Sequence, residues 1–343
     1  MAITTKSTTA RHRYRAPPLA AGFPALLLAF SAPAYAELKV TVTIKPIHAL
    51  VAGVMQGAGE PALLITGAGS PHTYALKPSD ARALNASDVV FRVSERIEPF
   101  TGKVVRSLPG KVQVVTLMDS PGLTLLETRS SDTFEGHEHA HAEHGDDDHD
   151  RLGAHHVAIE QRDEEDAASH GYDGHVWLDP ENAAKMVAEI ARVLSEKDPA
   201  GAATYKANAE RITAELAALE TEITHELTSI KGKPFVVFHD AYQYFERRFG
   251  LTAVGSITAS PEVQPSAKRL SEIRSKIAAL DAACVFAEPQ FQPKLVAAVT
   301  EGTNARSGTL DPEGALVTPG PHAYTTLLKN LSAGLKACLG NGS

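Results

Sequence analysis

The sequence predicts an α/β protein of two lobes, each a small parallel sheet covered by helices, joined by one long rigid helix. Three observations carry this. Short, near-continuous runs of Val, Ile, Leu and Phe alternate with stretches of helical periodicity, as in strands buried on both faces. The alternation occurs twice along the chain. Between the two sets, Tyr205, Ile212, Leu216, Leu219, Ile223, Leu227 and Ile230 recur at spacings of 7, 4, 3, 4, 4 and 3, a helical stripe of roughly 30 residues, or about 45 Å. The expected divisions are 1–36, 37–198, 199–231 and 232–343: a targeting segment, a first lobe, a connecting helix and a second lobe.

The targeting segment opens with Arg11, Arg13 and Arg15 and continues through Leu19, Phe23, Leu26, Leu27, Leu28 and Phe30 to Ala34-Tyr35-Ala36. A positive start, an apolar run and an A-x-A site describe a cleaved signal peptide. Pro17, Pro18, Pro24 and Pro33 argue against a spanning helix. Cleavage near Ala36 removes four cations and no acid, taking the formal charge from −8 to −12. An acidic chain without a basic stripe is not expected to bind nucleic acid. Export makes the cysteine pair, Cys284 and Cys338, read as a disulfide; two separate buried thiols are the alternative.

In the first lobe, Leu38–Ile44, Leu63–Thr66, Val89–Val93 and Val112–Leu117 are expected strands, with a helix over Pro78–Ala86. Next comes a polar insertion of about 130–172. It holds His137, His139, His141, His144, His149, His155, His156 and His170 among Asp and Glu, eight of the chain's fifteen histidines. So polar a tract buries no core and is expected to be a disordered loop. Its imidazoles and carboxylates suit a secondary, weaker metal site, because loose ligands are not preorganised. His137-Glu138-His139-Ala140-His141 matches the H-E-x-x-H protease motif. It lacks an apolar helical face and is a chance product of the repeat.

Past the tract, Asp179-Pro180 and Asp198-Pro199 supply helix starts, and Lys231-Gly232-Lys233-Pro234 ends the long helix. In the second lobe, Phe235–Phe238, Leu251–Ile257 and Cys284–Ala287 are expected strands. Leu270–Leu280, Pro293–Thr300 and Ala323–Cys338 are expected helices.

A tight metal site needs ordered ligands. Four histidines outside the tract stand out: His72 beyond a strand, His175 in Gly174-His175-Val176-Trp177, His239 at a strand end, and His322 in a Pro-Gly-Pro-His turn. His72 and His239 stand where open α/β sheets collect ligands. Three neutral imidazoles with one oxygen make a tetrahedral zinc site. His322 reads as a surface turn residue; His48 and His225 read as ordinary helix residues.

The chain resembles the zinc-binding solute receptors of ABC importers, the ZnuA group of the cluster A-I (TroA-like) family. The resemblance rests on Gly69-Ser70-Pro71-His72-Thr73-Tyr74 through Pro78-Ser79-Asp80, on His175-Val176-Trp177-Leu178-Asp179-Pro180, and on Val237-Phe238-His239-Asp240-Ala241-Tyr242. Phe286-Ala287-Glu288-Pro289-Gln290 and Gly308-Thr309-Leu310-Asp311-Pro312 add to it. It implies Zn2+ held in the cleft between the lobes by His72, His175 and His239, with Asp311 or water as the fourth ligand. Some zinc receptors place a Glu before the first His; here that position is Pro71. Manganese receptors of the family carry a carboxylate where His239 stands, so the imidazole favours zinc. The resemblance further implies a periplasmic monomer that captures zinc and delivers it to a membrane permease with a cytoplasmic ATPase, with a periplasmic zinc chaperone as a candidate partner. The alternatives are a free-standing periplasmic zinc buffer and a secreted zinc-dependent hydrolase. Glu288 is the one candidate base for a hydrolase, unless it holds a neighbouring loop or histidine.

Overall fold

The computed structural model describes residues 38–129, 171–258, 261, 264–291 and 293–340, besides six near the N-terminus. Apart from those six residues, the expected signal peptide lies outside the described residues, as does the tract from His137 to His170. The first sheet comprises β1 (Val40–Val42), β2 (Ala62–Leu63), β3 (Val89–Arg92) and β4 (Gln113–Thr116). Its order is β2-β1-β3-β4 and every pairing is parallel. The second sheet comprises β5 (Phe235–His239), β6 (Ala253–Thr258), β7 (Cys284–Ala287) and β8 (Arg306–Thr309). Its order, β6-β5-β7-β8, repeats the first, again all parallel.

Parallel strands need crossovers. The first lobe uses α1 (Lys45–Met55), α2 (Pro78–Ala86) and α3 (Thr101–Ser107); the second uses α6 (Gln243–Phe249), α7 (Ala267–Ala279) and α8 (Lys294–Thr300). Pro46 lies in the first turn of α1, where proline favours a helix start, and β1 ends earlier than its apolar run suggests. Between the lobes run α4 (Pro180–Lys197) and α5 (Ala202–Leu227), and α9 (Ala323–Leu339) closes the chain. The Asp179 side chain accepts from the Glu181 amide and caps α4.

Helix α5 buries Tyr205, Ile212, Leu216, Leu219, Ile223 and Leu227, the face predicted by the stripe, and packs on α4, α1 and α9. One apolar cluster includes Val42 of β1, Ile190 of α4, Ile223 of α5, Val237 of β5 and Leu331 of α9. The two sheets therefore share a continuous core, which opposes wide separation of the lobes. Cys284, the first residue of β7, is bonded to Cys338 of α9, fastening the last helix to the second sheet. Among the described residues, no helix is long and apolar enough to cross a membrane.

Among the elements the sequence reading did not name are β8 and α6. Strand β8 reads Arg-Ser-Gly-Thr, a half-exposed edge with no apolar run to betray it. Helix α6 is seven residues long, too short for periodicity to stand out.

Candidate metal centre

His239 is the last residue of β5, and Glu288 directly succeeds β7. These neighbouring strands flank the point where the strand order reverses, the place where open α/β sheets bind ligands. From the first lobe, His72 occupies a single 3-10 turn, Pro71–Thr73. The start of α2 holds that turn in place: the Asp80 carboxylate accepts from the Tyr74 hydroxyl and the Lys77 amide, both at 2.8 Å. His175 precedes another 3-10 turn, Val176–Leu178.

These three imidazoles, far apart in sequence, converge. One nitrogen from each lies within 4.8 Å of the others. The His175 and His239 Nε2 atoms are 3.3 Å apart, and neighbouring rings have centroids 5.2 to 5.6 Å apart. Two nitrogens bound at about 2.0–2.1 Å to one tetrahedral ion stand about 3.3 Å from each other, so the spacing fits a shared zinc-sized cation. His72 Nε2 is buried and has no hydrogen-bond partner among the described residues. A buried nitrogen without a partner is costly; a cation at the centre of the cluster would satisfy it.

Two carboxylates fix the rings from behind. Asp173 Oδ1 lies 2.7 Å from His175 Nδ1 and also accepts from the His175 amide at 3.0 Å. Gly174 permits this fold-back: a Cβ there would stand 2.6 Å from Ile97 Cγ1. Glu288 places Oε1 and Oε2 at 2.7 and 2.9 Å from His239 Nδ1, and Tyr242 donates to the same carboxylate at 3.2 Å. A carboxylate on Nδ1 holds that nitrogen protonated and turns the Nε2 lone pair toward the metal.

Electrostatics agree. Burial first, then the facing imidazoles and Arg96, push His72 well below the ordinary imidazole value. Burial, with His239 and Arg96, does the same to His175. Both shifts favour the neutral, ligating form of the ring. His239 is also pulled down by burial, but the Glu288 carboxylate, backed by Asp240 and Asp173, outweighs this and holds it above the usual range. Burial lifts Asp173 to about 6 against the pull of its hydrogen bond from the His175 amide.

The raised His239 value sets a pH dependence. Metal must displace a proton from His239 below that value and from no imidazole above it. Metal affinity is therefore expected to level off at alkaline pH, where neither His239 nor the raised Glu313 carboxyl holds a proton, and to fall as pH drops by about tenfold per pH unit for each of these protons that the metal must displace. Glu288→Gln should move the His239 break to lower pH; competition titration with a chelator at a series of pH values measures both.

The other nominated residues fall elsewhere. Asp311 accepts from Gln290 Nε2 at 3.0 Å and from the Leu316 amide at 3.1 Å, one bond to each oxygen. The carboxylate that approaches the histidines is Glu313, with Oε1 4.0 Å from His72 Nε2 and 3.4 Å from the Ser70 hydroxyl. Burial, reinforced by Glu288 and Asp311, pushes Glu313 well above the usual carboxylate range; a cation would reverse that. His48 bonds the Pro61 carbonyl through Nε2 at 3.0 Å; His225 is an exposed residue of α5, and His322 is an exposed turn residue just before α9, as expected. Sequence reasoning missed Asp173 and Glu313. The D-x-H spacing of Asp173 and His175 was a usable signal for the first. Nothing local distinguished Glu313 from Asp311.

A family model, ZnuA, described as "Zinc-uptake complex component A periplasmic", matches residues 40–338. The high-affinity zinc uptake system protein ZnuA of Brucella abortus (strain 2308) is 48% identical over 306 residues, covering 88% of this chain and 91% of its own length. Its namesake from Yersinia pestis is 36% identical over 304 residues, covering 89% and 92%. A solved structure described as the crystal structure of ZnuA superposes with a TM-score of 0.69 at 23% identity, over 89% of this chain and all of that one, a likeness of fold.

Proposed function

The chain belongs to the ZnuA family of periplasmic zinc-uptake components, and from that premise we propose that it captures Zn2+ between its two lobes and delivers it to an ABC importer. The observation that carries this reading is the convergence of one nitrogen each from His72, His175 and His239 within 4.8 Å. Zinc is the cargo. The three imidazoles are its ligands, and an imidazole-rich set suits zinc above manganese. Glu313, rather than Asp311, supplies the fourth, oxygen ligand: Glu313 already approaches His72, whereas both Asp311 oxygens are occupied by other donors.

Receptor and hydrolase make opposite demands. A hydrolase needs a free general base beside an open coordination position. Glu288 is 3% exposed and has both oxygens on His239 Nδ1, which supports a positioning role and a protein without turnover. Release then depends on local motion at the cleft, because the shared core opposes wide opening. We read the chain as a periplasmic monomer, cleaved near Ala36, whose partners are the permease with its ATPase and, as a candidate metal donor, a periplasmic zinc chaperone.

The segments that flank the His-rich tract meet at one point. The Thr128 amide donates to Gly171 O at 2.9 Å and the Asp173 amide to Leu126 O at 2.8 Å. Asp173 therefore belongs both to this neck and to the His175 pair. Deleting residues 135–170 is expected to reduce the number of zinc ions bound while leaving one tight ion, as measured by titration against a chelator. Loss of the tight ion with the tract would overturn the assignment of the high-affinity site to His72, His175 and His239.

A further inference from the structure

Glu313 belongs to the second lobe by sequence, yet the chain on either side of it is tied to the first. On one side, Trp177 Nε1 donates to Pro312 O at 2.8 Å. On the other, Lys45 Nζ donates to Gly314 O at 3.1 Å, Ala315 O at 2.6 Å and Val317 O at 3.3 Å. An ammonium has three N–H donors and no acceptor, and all three are spent on this one loop. The loop is folded to receive them. Gly314 has φ +67, a left-handed conformation that glycine adopts without penalty, and the Val317 amide closes a turn on Gly314 O at 3.0 Å. The turn points three carbonyls at one cation. Lys45 is the first residue of α1, at the carboxyl end of β1, and is 8% exposed. It lines a narrow crevice together with Pro71, which precedes His72, and with Glu313 itself.

A buried ammonium is expensive unless fully paired, and packing alone does not require one at this position. We infer that Lys45 is a positioning residue for zinc: it locks the 312–317 loop onto the first lobe and thereby sets the reach of the Glu313 carboxylate to the ion. The inference rests on the zinc-receptor reading and deepens it. The lobe interface is then part of the coordination geometry. Glu313 moves with His72 and His175, and freeing the loop from Lys45 is a route to metal release that leaves the shared core closed.

The test is a double-mutant cycle on the full mature chain with Lys45→Met, Glu313→Gln and both together, titrated with zinc against a chelator and with Co2+ by visible absorption. A supporting group behind a metal ligand is worth about 10–100-fold in affinity. Lys45→Met should weaken zinc binding by about that factor and shift the cobalt d–d bands in the same sense as Glu313→Gln. The double variant should lose no more than the larger single loss. If Lys45→Met does not give a folded protein by circular dichroism, Lys45→Gln, with two donors on a shorter stem, takes its place under the same criteria. Additive losses, or an unaltered cobalt spectrum in the lysine variant, would overturn the inference. Its failure is distinguishable from failure of the receptor reading, which shows as zinc affinity independent of the three histidines.

Discussion

His239→Ala is expected to lose tight zinc binding, with affinity down about a hundredfold or more in chelator competition. Zinc held by four protein ligands contributes ~10–16 kcal/mol, so each ligand accounts for about 3 kcal/mol, or about two decades in affinity. His239 should show the largest loss of the three imidazoles. It is 1% exposed, and removing its ring also takes from Glu288 the Nδ1 donor that both its oxygens share. A buried carboxylate left with only the Tyr242 hydroxyl and the residue-239 amide as donors disturbs its surroundings on top of the lost ligand. His72→Ala and His175→Ala should each cost about a hundredfold, with circular dichroism showing an intact fold. Undiminished affinity in all three variants would refute the ligand assignment.

The second large effect concerns stability. Cys284 and Cys338 are 54 residues apart, and closing a loop of that length restrains the unfolded chain by about 4 kcal/mol in the chain-entropy model. The double variant Cys284→Ser/Cys338→Ser is expected to melt roughly 10 °C lower. Zinc stoichiometry should be retained, because Cys284 begins β7 whereas Glu288 and His239 stand at the opposite, carboxyl ends of their strands. Reduction of the unmutated protein should reproduce the shift in scanning calorimetry. An unchanged melting temperature would show that α9 is held by packing alone, through Leu327, Leu328, Leu331 and Leu335.

Elements whose neighbours enforce a pattern were legible. The stripe from Tyr205 to Leu227 is buried as the periodicity requires, since a long helix against a core must repeat its apolar face. Val89–Arg92 and Phe235–His239 are buried along their whole length, so their apolar runs are nearly unbroken, as sheets covered on both sides demand. Strand β8 was hidden because an edge strand buries little and its polar residues carry no signal. The three histidines were nominated by placement and by resemblance, and the fold brings their nitrogens together. Asp311 and Glu313 differ by two residues in a turn; spacing cannot tell which one faces the cleft.

By itself, the sequence determined the α/β class, the long helix and the imidazoles that could meet metal, and it favoured the cysteine pair that the structure joins. These follow from local periodicity and from residue chemistry, which any segment carries with it. Only the tertiary structure decided that Asp173 and Glu288 stand behind His175 and His239, that Glu313 approaches His72, and that Lys45 grips the loop carrying Glu313 from 269 residues away. Such partners are selected by where two sheets and a shared core place them, and a contact between distant segments leaves no periodic trace in either.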